Sequence, residues 1–273
     1  SLYVGYARRS FSNMFATDNL SVTNADFTQY CVPIPNDPRL QGAGSQLCGL
    51  YDPNRIIAPN NLIQDSEAVN GQIEDVYDGF DFDVNARLGA GIIVSGGVTF
   101  GRERVSTCAM VGDLSLVMTG NARAATDSRT EPFCNVTPPF QPLVKGQVAY
   151  PLPWAVNLSA TFQSLPGPEL RAQYPLTNQI AGPSLGRPFT AVPPTIDLQP
   201  AGTMYGDRVY QTDLRISRTF NSGGIRIRPT VSIYNLFNAN PVQTYNNTYG
   251  PAWLSPLVIL QARFVDIGVQ VDF

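Results

Sequence analysis

Eight stretches of this chain alternate apolar and polar residues with a period of two, and the connections between them are alternately long and short. In the last stretch the apolar residues share one parity: Val265, Ile267, Val269, Val271 and Phe273. The residues between them are polar or glycine: Asp266, Gly268, Gln270 and Asp272. This period predicts a β-strand with one apolar face, which meets a second sheet in a soluble sandwich and lipid in a membrane barrel.

The alternation of long and short connections distinguishes the sandwich from the barrel. The predicted strands lie near residues 1–11, 73–88, 92–105, 143–151, 156–164, 208–220, 225–237 and 259–273. Long segments without a sustained period, expected to be irregular, occupy 12–72, 106–141, 165–206 and 238–256. Short turns occupy 89–91, 151–155 and 221–224. A Greek-key sandwich has no reason to put every long connection at one end, whereas outer-membrane barrels combine short periplasmic turns with long external loops.

The sequence therefore predicts one all-β domain over residues 1–273: an antiparallel up-and-down transmembrane β-barrel of about eight strands, with long extracellular loops and short periplasmic turns. Composition agrees, because only 14% of residues are charged while 43% are hydrophobic, and the mean hydropathy is −0.07. Strands that face lipid on one side and a polar lumen on the other average to this near-neutral value. No apolar run approaches the length of a spanning helix.

Several functional classes are excluded by what the chain lacks. It has no histidine, which removes the commonest general base and a common metal ligand. We therefore predict no catalytic residues, no metal site and no cofactor, and we expect that the protein is not an enzyme. A net charge of −3 offers no basic field for nucleic acid. No basic and apolar leader precedes Ser1, so we expect a processed or excised piece.

The four cysteines form two pairs by position, Cys31 with Cys48 and Cys108 with Cys134. The separations match no metal-binding pattern, and each pair lies within one polar, proline-rich and glycine-rich segment. Two local disulfides formed in an oxidising compartment are predicted, with free buried thiols as the alternative. Each disulfide would contribute roughly 3 kcal/mol in the chain-entropy model.

Charged residues on the polar parity are candidates for a lumenal surface: Asp81, Asp83, Arg87, Asp213, Arg215, Arg226, Arg228 and Asp266. They could tune what passes through a lumen. The favoured interpretation is a set of paired charges that fills a narrow barrel or contacts a plug. Aromatic residues near strand ends are predicted to form girdles at the membrane interfaces: Tyr150, Trp154 and Phe220 beside short turns, and Tyr6, Phe100 and Phe237 beside long loops.

Two runs carry a family resemblance: Tyr205-Gly-Asp-Arg-Val-Tyr-Gln-Thr-Asp-Leu-Arg-Ile-Ser-Arg-Thr-Phe220 and Val231-Ser-Ile-Tyr-Asn-Leu-Phe-Asn-Ala-Asn-Pro241. They resemble the end of a TonB-dependent outer-membrane receptor, and most of all the Oar-like receptors with an N-terminal carboxypeptidase-regulatory-like domain. Shorter runs extend the likeness: Cys48-Gly-Leu-Tyr-Asp52, Tyr77-Asp-Gly-Phe-Asp81, Gly96-Gly-Val-Thr-Phe-Gly-Arg102 and Phe162-Gln-Ser-Leu-Pro-Gly-Pro168. The strand that ends at Phe273 resembles the C-terminal signal by which such barrels are recognised for assembly.

The resemblance implies ligand uptake across the bacterial outer membrane, through a barrel of about 22 strands that holds a plug domain and couples to TonB. The implied partners are outer-membrane lipid, the barrel assembly machinery, a plug and TonB, with a homo-oligomer as a further option. This sequence contains about eight strands, no plug and no recognisable TonB box. The alternative is a free-standing eight-stranded outer-membrane or extracellular barrel with a structural, adhesive or filament-like role, and a secreted β-sandwich enzyme is a weaker third.

Overall fold

A computed structural model describes residues 1–68, 73–118, 131–190 and 192–273. The fold is all-β with antiparallel sheets and short helices. The strands are β1 (Leu2–Phe11), β2 (Phe15–Asn19), β3 (Phe27–Pro33), β4 (Gln46–Pro53), β5 (Asn61–Asp65), β6 (Glu74–Arg87), β7 (Ile93–Ser106), β8 (Leu116–Met118), β9 (Asn135–Val136), β10 (Gln141–Leu152), β11 (Val156–Leu165), β12 (Glu169–Leu170), β13 (Gln173–Pro175), β14 (Thr195–Asp197), β15 (Met204–Tyr205), β16 (Val209–Arg218), β17 (Phe220–Ser222), β18 (Ile225–Tyr234), β19 (Val242–Tyr245), β20 (Pro256–Ile259) and β21 (Phe264–Asp272).

The helices are α1 (Glu131–Cys134) and α2 (Asn178–Leu185), with 3-10 turns at Asn24–Asp26, Ser66–Ala68, Gly89–Gly91 and Cys108–Met110. Thr177 caps α2 by accepting a hydrogen bond from the backbone N–H of Ile180, and Gly186 ends it with a left-handed φ of 76°. No helix in the described part of the chain is long and apolar enough to span a membrane.

Eight long strands form one antiparallel sheet in the order β1-β6-β7-β10-β11-β16-β18-β21. They overlap the eight ranges predicted from the sequence. The short strand β17 continues β16 along β18, and β9 pairs with β7. The path is up-and-down, so the long connections leave one end of the sheet and the short turns leave the other. Within the described residues no pairing joins β1 to β21, and no closed barrel is found.

The short turns use left-handed backbone conformations. Gly223 and Gly224, with φ of 58° and 85°, form the two-residue turn between β17 and β18. Two positive φ values in succession match the twist of the flanking strands, and glycine adopts them without steric cost. In the turn between β10 and β11, Trp154 and Ala155 adopt φ of 62° and 56° despite their side chains. The Trp154 side chain is 80% exposed.

The strands are strongly staggered. A row of directly paired residues runs from Leu2 through Val84, Gly96, Gly146 and Phe162 to Thr212. On β6 the row is at Val84, three residues before Arg87, where the strand ends at its short turn. On β16 the row is at Thr212, ten residues before Ser222, where β17 ends at the next short turn but one. For a strand rise of about 3.3 Å and a spacing of about 4.8 Å, this drift corresponds to a strand tilt of roughly 45°.

The prediction that the long connections are irregular was wrong. They contain a three-stranded sheet in the order β5-β2-β8 and four two-stranded pairs: β3 with β4, β12 with β15, β13 with β14, and β19 with β20. We call these four connections together the loop layer. Most of its strands in these sheets are only two to five residues long, which leaves a period of two hard to recognise, and several of them pair with segments far away in sequence, such as β2 with β5 and β8.

The loop layer also holds the main hydrophobic core. Fourteen buried residues from all four long connections form one cluster: Tyr30, Val32, Ile34, Leu40, Leu47, Leu50, Phe133, Ala172, Leu176, Ala181, Leu185, Ile196, Leu198 and Trp253. Disulfides join Cys31 to Cys48, between β3 and β4, and Cys108 to Cys134. These are the two pairs expected from their positions in the sequence.

Candidate functional site

One face of the eight-stranded sheet is apolar and uncovered. Residues paired directly across an antiparallel sheet share a face, so the rows of the register identify its members. The large, exposed ones include Val4, Phe82, Val84, Val148, Phe162, Ile216, Ile227, Val231, Val265, Ile267, Val269 and Val271. Ile267 is 75% exposed, although burial in an ordinary core would leave such a residue almost inaccessible.

Aromatic side chains bound this apolar face at both ends. Next to the loop layer, Tyr6, Phe80 and Phe100 form a row of paired residues, and Phe140 lies two residues beyond it. The ring centroids are 5.0 Å apart for Tyr6 and Phe80 and 6.3 Å apart for Phe80 and Phe140. Next to the short turns lie the exposed rings of Tyr150, Trp154, Phe220 and Phe273. The ten residues from Phe140 to Tyr150 span roughly 33 Å along a strand, or about 23 Å across a sheet tilted by about 45°.

The opposite face is polar. The register assigns all eight predicted charges to it: Asp81, Asp83, Arg87, Asp213, Arg215, Arg226, Arg228 and Asp266. Thr99 donates its hydroxyl to Asp81 over 2.7 Å, and Asp213 accepts from the Gln211 side chain over 3.0 Å. Among the described residues, no ion pair joins two of these eight charges. Their contacts with a plug remain a prediction.

A groove of about 600 Å³ runs along the polar face. Its polar lining comes from four hairpin strands and β16: Asp83, Asn85, Ser95, Lys145, Gln147, Thr161, Gln163 and Asp213. Lys145, Gln147 and Gln163 alternate with apolar residues in the sequence, so the period of two assigns them to this face. The period could not show that these residues of β10 and β11 line one groove with residues of β6, β7 and β16, because this depends on the register between strands.

A second concavity of about 440 Å³ lies where the polar face meets the loop layer. The sheet contributes Arg9, Phe11 and Tyr77, and the loop layer contributes Pro138 and Tyr205. Tyr77 lies flat over two glycines of the sheet, since a Cβ added to Gly79 would come within 2.8 Å of its ring. The absence of side chains at these glycines therefore fixes the position of the Tyr77 ring.

The loop layer is tied together by charged and aromatic contacts. Arg187 reaches across the layer to Asp52, which is nearly buried, and also donates to the Pro53 carbonyl over 2.9 Å. The indole N–H of Trp253 donates to the Arg171 carbonyl over 2.7 Å, and the Arg39 guanidinium lies 4.6 Å from the Trp253 ring centroid. These contacts hold separate segments of the loop layer together.

Two titratable groups of the loop layer have shifted pKa values around Arg39. Hydrogen bonds from the Arg39 side chain and backbone lower the pKa of Asp37 to about 2. Burial, followed by the Asp37 charge, raises the pKa of Tyr249. The Tyr249 hydroxyl lies 3.4 Å from Asp37, toward which it donates. The cluster is thus held with a charged carboxylate and a neutral phenol.

A charged group on the apolar parity was missed by the sequence analysis. Arg8, Asp78 and Arg102 are paired in one row, and Arg104 lies two residues further along β7 on the same face. Asp78 lies 3.8 Å from Arg8 and 3.2 Å from Arg104, and it accepts a hydrogen bond from Tyr6 over 2.8 Å. The sequence did contain a signal for this group. At the loop ends of β1, β6 and β7, charged residues occupy the alternate positions that are apolar in the rest of each strand.

No known family matches this chain, and no curated protein matches it either. Within residues 1–68, 73–118, 131–190 and 192–273, no group of three or more histidine, cysteine, aspartate or glutamate residues is arranged to hold a metal ion.

Proposed function

We propose that this chain forms the C-terminal wall of a bacterial outer-membrane β-barrel, part of a TonB-dependent-receptor-like protein for ligand uptake. The first support is the apolar face, which has no protein layer over it. Its aromatic boundaries are about 23 Å apart, close to the apolar band of about 25 Å in outer-membrane barrels, whose strands also tilt by about 35–45°. A bilayer would cover this face and bring the aromatic rings to its two interfaces.

The observation that carries the proposal is that both faces of the sheet are open. A closed eight-stranded barrel is narrow enough for its interior to be filled by side chains. Here Asp83, Lys145, Gln147 and Arg215 are exposed on the polar face, and β1 and β21 each keep one unpaired edge among the described residues. A wider barrel, with additional strands on these edges, accounts for both features. The free-standing eight-stranded alternative accounts for neither.

The uptake role follows from what the polar face offers. It presents a polar groove of about 600 Å³ and, beneath the loop layer, a partly aromatic concavity of about 440 Å³. In a wider barrel both would face the lumen, where a ligand or a plug domain would contact them, and TonB would act on the plug. The loop layer would lie outside the cell, where disulfides persist. The strand ending at Phe273 would serve as the assembly signal.

Site-directed spin labelling tests this proposal on neighbouring residues of β10. The four cysteines are all in disulfides, so labels can be directed to Val148→Cys on the apolar face and Gln147→Cys on the polar face. In membrane-embedded full-length protein, the label at position 148 should be accessible to oxygen dissolved in lipid, and the label at 147 to a water-soluble nickel complex. Equal access of the nickel complex to both positions would refute a lipid-facing surface.

A further inference from the structure

The arginine group on the apolar face occupies a defined depth. The row of Arg8, Asp78 and Arg102 is two residues beyond the row of Tyr6, Phe80 and Phe100, on the side of the loop layer. If the aromatic row marks the membrane interface, these charges lie at headgroup level. Arginine at the centre of the hydrocarbon is costly, but at the interface it meets phosphates and water.

The charges of this group do not cancel locally. Arg8 and Arg104 share the single carboxylate of Asp78: Arg104 faces Oδ2, and Arg8 faces Oδ1, which also accepts a hydrogen bond from Tyr6. Arg102 is in no ion pair with a described residue, and its guanidinium lies 4.4 Å from the Phe140 ring centroid. Beside Arg8 and Arg104 is a groove of about 360 Å³ that Glu67 and Glu74 also line. Arg102 is thus the arginine of this group that faces an aromatic ring and not a carboxylate.

Two donors of this group lack acceptors. The Nε–H groups of Arg102 and Arg104 are buried and make no hydrogen bond to described residues. An unsatisfied buried donor is costly, particularly on a charged group. These two Nε–H groups are out of reach of a ligand, but the side chains of Arg8 and Arg104 are 58% and 38% exposed. The outer N–H groups of such a planar guanidinium match the acceptor oxygens of a phosphate.

We infer that Arg8, Arg102 and Arg104 bind the phosphate of an anionic outer-leaflet lipid. Its acyl chains lie along the apolar side chains below, such as Val4, Phe82 and Val98. The continuity of the charged group with this apolar surface distinguishes a lipid from free phosphate, which needs no apolar neighbour. The inference rests on the proposed membrane location and adds a specific lipid site to it.

Native mass spectrometry of the full-length protein in zwitterionic detergent tests the site. Diphosphorylated lipid A is the probe, with phosphatidylcholine and inorganic phosphate as separate arms. We expect one retained lipid A, and a loss of affinity of at least about tenfold in Arg8→Gln/Arg102→Gln/Arg104→Gln, because each lost hydrogen bond to a charged group costs roughly that factor. The exposed single variant Arg8→Gln provides a milder test if the triple variant does not fold.

Arg218→Gln is the matched control. Arg218 is exposed on the apolar parity at the opposite end of the sheet and lies 4.7 Å from the Phe220 ring centroid, as Arg102 does from Phe140. It should leave lipid A binding unchanged. Equal losses in both variants, equal retention of phosphatidylcholine, or equally tight binding of inorganic phosphate would overturn the lipid site. The spin-label result distinguishes this failure from failure of the membrane location, since it does not depend on these arginines.

Discussion

The eight-stranded sheet and the loop layer are stabilised in opposite ways. The sheet has long, regular strands whose apolar side chains point away from the protein, whereas the loop layer has short strands, two helices and a core of fourteen buried side chains. The loop layer therefore has the organisation of a small soluble domain, stabilised by apolar burial and disulfides. The sheet has hydrogen-bonded strands, and in the proposed location the bilayer covers its apolar face. The following predictions test this difference.

The largest effect is expected for Trp253→Ala. The Trp253 side chain is 4% exposed in the loop-layer core, and truncating such a residue costs about 3–5 kcal/mol. Hydrogen exchange of the membrane-embedded protein should lose protection around Tyr30 and Leu50 while the sheet strands keep theirs. Loss of protection throughout the sheet would show that the two regions unfold as one unit. Trp154→Ala, at an exposed turn, is the matched control for loss of a tryptophan.

Removing the Cys31–Cys48 disulfide should have the next largest effect. Cys31→Ser/Cys48→Ser releases a constraint across 17 residues of sequence, worth about 3 kcal/mol in the chain-entropy model. Proteolysis should then cut the β3–β4 region faster without altering heat-modifiable migration, which would report the proposed barrel. Changed migration would mean that the barrel depends on the loop layer.

An arginine on the apolar face should destabilise the sheet only in lipid. Val98→Arg should cost about 2 kcal/mol in urea unfolding from liposomes, because cationic substitutions cost about 2–4 kcal/mol at the bilayer midplane and less toward the interfaces. Thr99→Arg, on the polar face of the same strand, should change this free energy by less than about 1 kcal/mol. Equal costs at positions 98 and 99 would remove the distinction between the two faces.

The smallest effect is a pH dependence confined to the loop layer. The folded-state pKa of Asp37 is about 2, below the ordinary 3.8. Its contribution to stability is therefore complete above the unfolded pKa and is lost as pH falls through the folded pKa. Hydrogen exchange near Arg39 should accelerate between about pH 4 and pH 2, and Asp37→Asn should reduce that change. Asp26, whose pKa is also lowered, mainly by its bonds to Thr23, accounts for a remaining dependence in Asp37→Asn.

Much of the sheet could be predicted from the sequence because its information is local. In β6 and β7, apolar residues alternate with polar residues or glycine from Phe80 to Ala86 and from Val94 to Phe100, so both the strand and the face of each side chain follow from parity there. The eight candidate charges fall on one face for the same reason. The arginines at positions 8, 102 and 104 were missed because the sequence shows only that each lies at the end of a strand. Whether they form a group depends on which residues of adjacent strands lie beside them.

The sequence by itself determined the eight strands, their two faces and the end from which the long connections leave. Only the tertiary structure decided the stagger, the polar groove and the loop-layer core. Trp253 belongs to one buried cluster with Tyr30 and Leu185, which lie more than sixty residues away in sequence, and no periodicity indicates such packing. The tertiary structure also showed that two edges of this eight-stranded sheet are unpaired among the described residues. The physical reason is that parity is fixed residue by residue, whereas register, packing and closure depend on which distant segments pair.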